Sequence, residues 1–311
     1  MRLDGSTVLV TGGAGFIGSH LTRKLTDRGA SLVVVDDLFA GRREYVPNNA
    51  TFYEQDIRSD AFAETVRDEA PDAIVHLAAI HHIPYCNANP EEAFEVNTMG
   101  TRTLLEAAED VENLQQVVFA STAAVYEPGE RPHRETDEPG PIDIYGRTKL
   151  VSEDLLEKFS METGVRAASA RLFNVYGTNE TNQHLIPAIL DQLRDGSREI
   201  ELGNLSPARD FVHVTDVADA LVALLAEFDG DYRAYNVGTG TEHTVREVVE
   251  HTSEALGESI EIAQDEERVR ESDRPHLRPS VGRIERETGW SADVEFTEGL
   301  RDLLESEGIR T

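Results

Sequence analysis

Cysteine is almost absent. Cys86 stands alone among 311 residues, which excludes an intrachain disulfide and suits a reducing compartment, so a cytoplasmic location is expected. No stretch reaches the ~18 consecutive apolar residues of a membrane-spanning helix, so no membrane partner is expected. The opening Met1-Arg2-Leu3-Asp4-Gly5 runs straight into an apolar segment and leaves no room for a secretory signal. Cysteine and histidine do not cluster at ligand spacing, the adjacent His81 and His82 included, so no metal site is expected. Lysine is scarce: only Lys24, Lys149 and Lys158 occur, and arginine supplies nearly all the positive charge. Acids outnumber bases 59 to 29, for a net charge of −30. Because the acids are spread along the chain they describe a surface, and an acidic surface argues against nucleic acid as a partner. It also suits a protein of a halophile, whose self-repulsion molar salt screens.

What is present starts with Thr7-Val8-Leu9-Val10, the pattern of a buried parallel strand. Thr11-Gly12-Gly13-Ala14-Gly15-Phe16-Ile17-Gly18 follows, then a helical pattern from Ser19 to Arg28 that stops at Gly29. The glycines fit G-x-G-x-x-G from Gly13 and a G-x-x-G-x-x-G frame from Gly12. Either lets the backbone approach a pyrophosphate on the helix N-terminus, and Gly18 lets helix and strand pack closely. A second apolar run, Ser31 to Val35, ends in Asp36-Asp37, about 20 residues beyond the loop as a dinucleotide site requires. A carboxylate there bonds the ribose hydroxyls and repels a 2′-phosphate, which favours NAD. Arg42 and Arg43 keep NADP as the alternative.

Strands and helices alternate onward. Strands are expected at 51–53, 73–77, 117–120 and 166–172. Helices are expected at 60–70, 90–110 and 145–163. This is an α/β pattern, a doubly wound parallel sheet with ligands at the carboxyl ends of its strands. After Asn174 the alternation weakens. Helices are expected at 185–194 and 214–228, extended segments at 198–202 and 234–237, and a Pro-rich loop at 274–279.

Within the helix expected at 145–163, Tyr145 and Lys149 lie four residues apart and share a face. A free phenol, pKa near ~10, is a poor base at neutral pH, and a nearby ammonium is expected to pull that value down. Just upstream, the strand expected at 117–120 runs into Ser121-Thr122-Ala123-Ala124-Val125-Tyr126.

With these motifs the chain resembles the extended short-chain dehydrogenase/reductase superfamily, and more narrowly the NAD-dependent nucleotide-sugar epimerases and dehydratases, over nearly its full length. The resemblance implies an NAD-binding Rossmann domain at 1–173, with roughly 211–240 returning to the sheet. Residues 174–210 and 241–311 would then form a smaller nucleotide-sugar-binding domain. It implies cofactor contacts at Gly12, Gly15, Phe16, Ile17, Gly18, Asp36 and Asp37, then Asp56 and Ile57 at the adenine. Leu77, Ala78 and Ala79 would lie beside the nicotinamide half, and Asn97 would support the active-site helix and the cofactor. Thr122, Tyr145 and Lys149 would be the catalytic triad, with Ser121 as the second candidate hydroxyl. Asn174, Leu185, Arg209, Arg270, Asp273 and Leu277 would meet the nucleotide sugar, the arginines because their planar forks pair with phosphate oxygens.

In that family the residues after the catalytic Thr separate reactions: dehydratases carry an acid pair there and decarboxylases a glutamate. Ala123-Ala124 offer neither. An NAD-dependent 4-epimerase of a UDP-hexose is therefore expected, with a dehydratase or reductase using His81 or His82, or an idle NAD-binding regulator, as alternatives. Family dimers form through the helices that correspond to 90–110 and 145–163, so a homodimer is expected. His81, His82 and His184 depart from the usual pattern and leave the sugar and the base open.

Overall fold

Seven of the strands build one parallel sheet. The computed structural model describes residues 1–182, 184–265 and 275–309. The chain runs β1 (Thr7–Thr11), α1 (Phe16–Asp27), β2 (Ser31–Asp36), β3 (Thr51–Glu54), α2 (Asp60–Glu69), β4 (Ala73–His76) and α3 (Ile83–Ala88). Next come α4 (Pro90–Phe94), a π-helical turn (Glu95–Met99), α5 (Gly100–Ala108), β5 (Gln116–Thr122), α6 (Ile144–Thr163), β6 (Arg166–Leu172) and β7 (Asn174–Tyr176). Then follow α7 (Leu185–Arg194), β8 (Glu199–Leu202), β9 (Ala208–His213), α8 (Val214–Glu227), β10 (Tyr232–Val237) and β11 (Glu242–Thr244). The chain closes with α9 (Val245–Leu256), β12 (Glu261–Gln264), β13 (His276–Leu277), α10 (Gly282–Thr288) and α11 (Phe296–Ser306).

The main sheet has the order β3-β2-β1-β4-β5-β6-β10, every neighbour parallel. Strand order reverses between β1 and β4, and that switch point opens a crevice at the carboxyl ends. Alternation along the strands feeds two cores. Val8 and Val10 face a layer with Leu21 and Leu25 of α1, Leu221 and Leu224 of α8, and Ile284 of α10. Leu9 faces the opposite layer with Phe62 of α2, Leu104 of α5, and Leu156 and Phe159 of α6. Burying each such side chain contributes ~1.5–3 kcal/mol.

A smaller unit sits over the carboxyl ends. In it β9 pairs with β7 and β13 in parallel and with β11 antiparallel, while β8 pairs with β12. Its own core joins Ile189 and Leu193 of α7, Val248 and Val249 of α9, and Phe296 and Leu300 of α11. β10 meanwhile returns to the edge of the main sheet beside β6.

Two expected helices differ in detail. The first begins at Phe16, three residues early, because extended Gly15 is already its N-cap. The helix expected at 90–110 is interrupted by the π-helical turn and ends at Ala108. α6 starts where Asp143 accepts a bond from the Gly146 amide at 2.7 Å, and stops at Gly164, whose φ is 75°.

Candidate active site

A cavity of about 1160 Å3 runs from the glycine loop across the carboxyl ends to the smaller unit. It exceeds the ~300–1,000 Å3 of an ordinary small-molecule site, so it has room for a dinucleotide and a second ligand. Gly12, Gly15, Phe16, Ile17 and Gly18 form one end. Gly12 has φ 70°, and a Cβ on Gly18 would stand 2.2 Å from the Gly12 carbonyl oxygen, so neither position accepts a larger residue. No side chain caps the first turn of α1, which leaves its amides facing the cavity for an anion.

Asp36 ends β2 in the same wall. Its carboxylate accepts 2.9 Å bonds from the amides of Ala14 and Leu38, tying the two loops together. Asp37 is exposed beside it. Asp56 and Ile57 line the next stretch, with Asp56 held by Arg58 and its carboxyl kept below the usual range chiefly by that bond. Leu77, Ala78 and Ala79 follow β4 along the floor.

Asn97 is buried behind the cavity wall, where it supports the loop after β4 and α6. Its amide donates to the Ile80 carbonyl (2.9 Å) and the Thr148 hydroxyl (3.0 Å), and its oxygen accepts from the Ile80 amide (2.7 Å). The π-helical turn brings it to that position, pinning the loop after β4 to α6.

Thr122, Tyr145 and Lys149 converge on the cavity between β5 and α6. Lys149 is buried and donates to the Ala120 carbonyl at 2.8 Å, with its Nζ 4.5 Å from the Phe119 ring centroid and 6.0 Å from that of Tyr145. Burial lowers its pKa to about 7, against the pull of Glu153. Burial pushes the Tyr145 phenol well up, and its hydrogen bond with Thr122 is what draws it back down. The expectation that the lysine lowers the phenol is therefore corrected: enclosure drives both groups toward their neutral forms, and Thr122 supplies the opposing influence.

Ser121 also touches the cavity wall, but its hydroxyl donates to buried Glu153. Glu153 in turn takes a fork from Arg171, with Nη2 at 2.6 Å and Nε at 3.0 Å. Arg171 also reaches the Tyr126 hydroxyl (2.9 Å), which donates to Asn236 (2.7 Å). The Asn236 amide bonds the carbonyls of His133 and Ser280. Ser121 thus joins the cavity wall beside Thr122 to a buried hydrogen-bond network.

On the smaller unit's side, Asn174, Leu185, Arg209 and Leu277 all line the cavity. Leu277 packs with Tyr126 and Phe173. Arg270 and Asp273 lie outside the described residues. His81, hydrogen-bonded to Asn182 and edge-on to His184 at 6.5 Å, forms a further wall with Glu180. Burial lowers His81 to about 4 and raises Glu180 to about 7. Among the described residues no cluster of three or more histidines, cysteines or carboxylates could hold a metal, and no helix is long and apolar enough to cross a membrane.

Sequence reasoning missed Glu153, Arg171, Thr148, Glu180 and His76. Buried His76 bridges the hydroxyls of Thr11 (2.6 Å) and Thr101 (3.0 Å), and burial keeps it neutral with a pKa of about 3. Only Glu153 left a readable signal, being four residues beyond Lys149 on the same helix face.

Comparison with known proteins agrees with this geometry. Residues 8–238 match the NAD dependent epimerase/dehydratase family. The UDP-glucose 4-epimerase of Azospirillum brasilense is 35% identical over 94% of this chain and 89% of its own. The UDP-glucose 4-epimerase of Thermotoga maritima, solved with UDP-glucose, superposes with a TM-score of 0.89 at 30% identity, covering 96% of this chain and 97% of that one. The Thermus thermophilus UDP-glucose 4-epimerase, solved with NAD, gives 0.87 at 33% identity, covering 97% and 99%.

Proposed function

The chain belongs to the NAD-dependent epimerase/dehydratase family, and on that premise we propose that it is a nucleotide-sugar 4-epimerase that inverts C4 of a UDP-hexose through a transient 4-keto sugar. The observation that carries this is the meeting of Thr122, Tyr145 and Lys149 in a cavity whose adjoining Ala123 and Ala124 supply no acid.

The glycine loop and Asp36 fit NAD: a Cβ would fill the cradle at Gly12 and Gly18, and a carboxylate ends β2 where a ribose would lie. Bound there, NAD supplies a hydride acceptor that becomes the donor for the return. Tyr145 takes the proton of the sugar 4-hydroxyl and gives it back, while Thr122 hydrogen-bonds the 4-oxygen. Lys149, tied to the Ala120 carbonyl in the cavity wall, would hold the nicotinamide ribose. Ser121 and Glu153 hold β5 against α6, and Asn97 holds the loop after β4 against α6.

We divide the chain as the sequence suggested, residues 1–173 and roughly 211–240 holding NAD, and 174–210 with 241–311 holding the nucleotide sugar. Arg209 and Asn174 meet the diphosphate, and Arg270 with Asp273 clamps the diphosphate and the ribose. Buried Leu277 leaves room near the sugar C2 group. A homodimer is supported by Phe94, Met99 and Val151, which stand 37%, 45% and 39% exposed on α4, the π-helical turn and α6. The acidic composition supports a halophilic origin, and the lone cysteine a cytoplasmic one.

Incubation with UDP-glucose and UDP-galactose, followed by proton NMR, tests the reaction. Interconversion is expected with no loss of water and no accumulating free NADH. Tyr145→Phe should keep NAD binding and lose ~10²–10⁴-fold in rate. A 4-keto-6-deoxy product would overturn the assignment.

A further inference from the structure

The antiparallel register of β9 and β11 sets His243 directly opposite Arg209. Opposed residues of such a pair project from one face, with Cβ atoms ~5 Å apart. Both side chains line the cavity, as does Phe211, two residues from Arg209 on the same face of β9. The His243 ring is fixed in place. It stacks on Phe296, centroids 4.6 Å apart at 13°, and meets His251 edge-on at 4.8 Å. Phe296 stacks on Phe211 at 5.6 Å, and His251 is held by the Thr297 hydroxyl at 2.8 Å. Held by stacking, the His243 ring nitrogens have no hydrogen-bond partner among the described residues.

We propose that His243 is a second phosphate-binding residue, pairing with Arg209 around the diphosphate of the nucleotide sugar. This rests on the reading above that Arg209 meets the diphosphate. The charged groups facing the ring are Arg209 on β9, Glu247 and His251 on α9, and Glu295 ahead of α11. Glu242, its neighbour on β11, is turned to His276 of β13 at 3.0 Å. Burial, then His251, hold the imidazole below its ordinary 6.5, with Glu247 and Glu295 opposing. In the free protein at neutral pH the ring is therefore mostly neutral. A diphosphate brings negative charge that favours the protonated ring, so its pKa rises on binding. Binding then takes up a proton. Affinity is greatest at low pH and declines as pH climbs through the bound-state value. A lysine at this position would show no such dependence near neutrality.

The test is calorimetric titration of the full-length protein with UDP-glucose, at several pH values and in two buffers of different ionisation heat. The diphosphate of UDP-glucose is a diester and does not itself titrate near neutrality, so any proton taken up belongs to the protein. His243→Phe keeps the stack on Phe296 and removes both nitrogens. His243→Asn keeps a hydrogen-bond donor that cannot be protonated. Wild type should take up a fraction of a proton more than either variant, because Lys149 and Glu180 in the same cavity contribute equally to all three. Losing a charge-assisted bond should weaken UDP-glucose binding roughly 10-fold at pH 6 and little at pH 8.5. KM should rise in His243→Phe with kcat unchanged, the mark of lost uniform binding. If UDP-glucose binds but proton uptake and affinity in both variants equal those of wild type, the role of His243 is overturned alone. If wild type does not bind UDP-glucose at any pH, the substrate reading falls and this inference with it.

Discussion

Glu153→Gln tests the buried support behind the active site. The carboxylate is 3% exposed and its partner Arg171 7%, joined at 2.6 Å. The amide keeps an acceptor but leaves the guanidinium charge buried and uncompensated. Removing one partner of a buried pair costs ~3–5 kcal/mol, and the retained acceptor argues for the low end. At ~2.1 cal/mol/K per residue, the 311-residue chain unfolds with roughly 0.65 kcal/mol/K of entropy, so about 3 kcal/mol lowers Tm by about 5 °C. The assay is thermal unfolding in low and in molar KCl. Salt screens exposed charges far more than enclosed ones, so the deficit should persist at both concentrations. A Glu153→Met/Arg171→Met double variant should recover most of the loss, because a packed apolar pair replaces the ions. Glu153 also raises the Lys149 pKa, so kcat at pH 7 should drop in the single variant. A Tm shift under about 1 °C, or a deficit that molar KCl abolishes, would refute the reasoning.

Wild-type Tm should climb steeply into molar KCl as the −30 surface is screened, and a flat profile would sink the halophilic reading. Asp36→Ala should erode a preference for NAD over NADP; tighter NADP binding by wild type would instead point to Arg42 or Arg43. Leu277→Tyr should narrow the enzyme to plain hexoses if the leucine admits N-acetylated sugars, and activity confined to UDP-glucose and UDP-galactose in both forms would contradict that.

Much of the architecture was legible because its signals are local. The β-branched runs that became β1 and β2, the glycines between strand and helix, and the i, i+4 spacing of Tyr145 and Lys149 are all set within a few residues. What stayed hidden depends on pairing across the chain. Arg171 meets Glu153 only because β6 lies beside β5, with Arg171 opposite Ser121 in the register. His243 meets Arg209 through a strand pairing that spans 34 positions. The direction of the Tyr145 and Lys149 shifts was also beyond the sequence, since enclosure outweighs proximity and no residue spacing encodes enclosure.

The π-helical turn at Glu95–Met99 has a consequence for how this helix can change. Such a turn is a helix that has accommodated one surplus residue, and it is often found at functional sites. Deleting one residue there would restore unbroken α-helix, locally the more comfortable conformation. It would also swing the flanking segment by ~100°, the rotation of one helical residue. Asn97 would then leave Ile80 and Thr148, and the loop after β4 would come adrift from α6. Insertions and deletions are ordinarily tolerated in loops and costly in helices. Here the irregularity itself sets the register between two walls of the cavity, so the residue count at the middle of the helix is fixed.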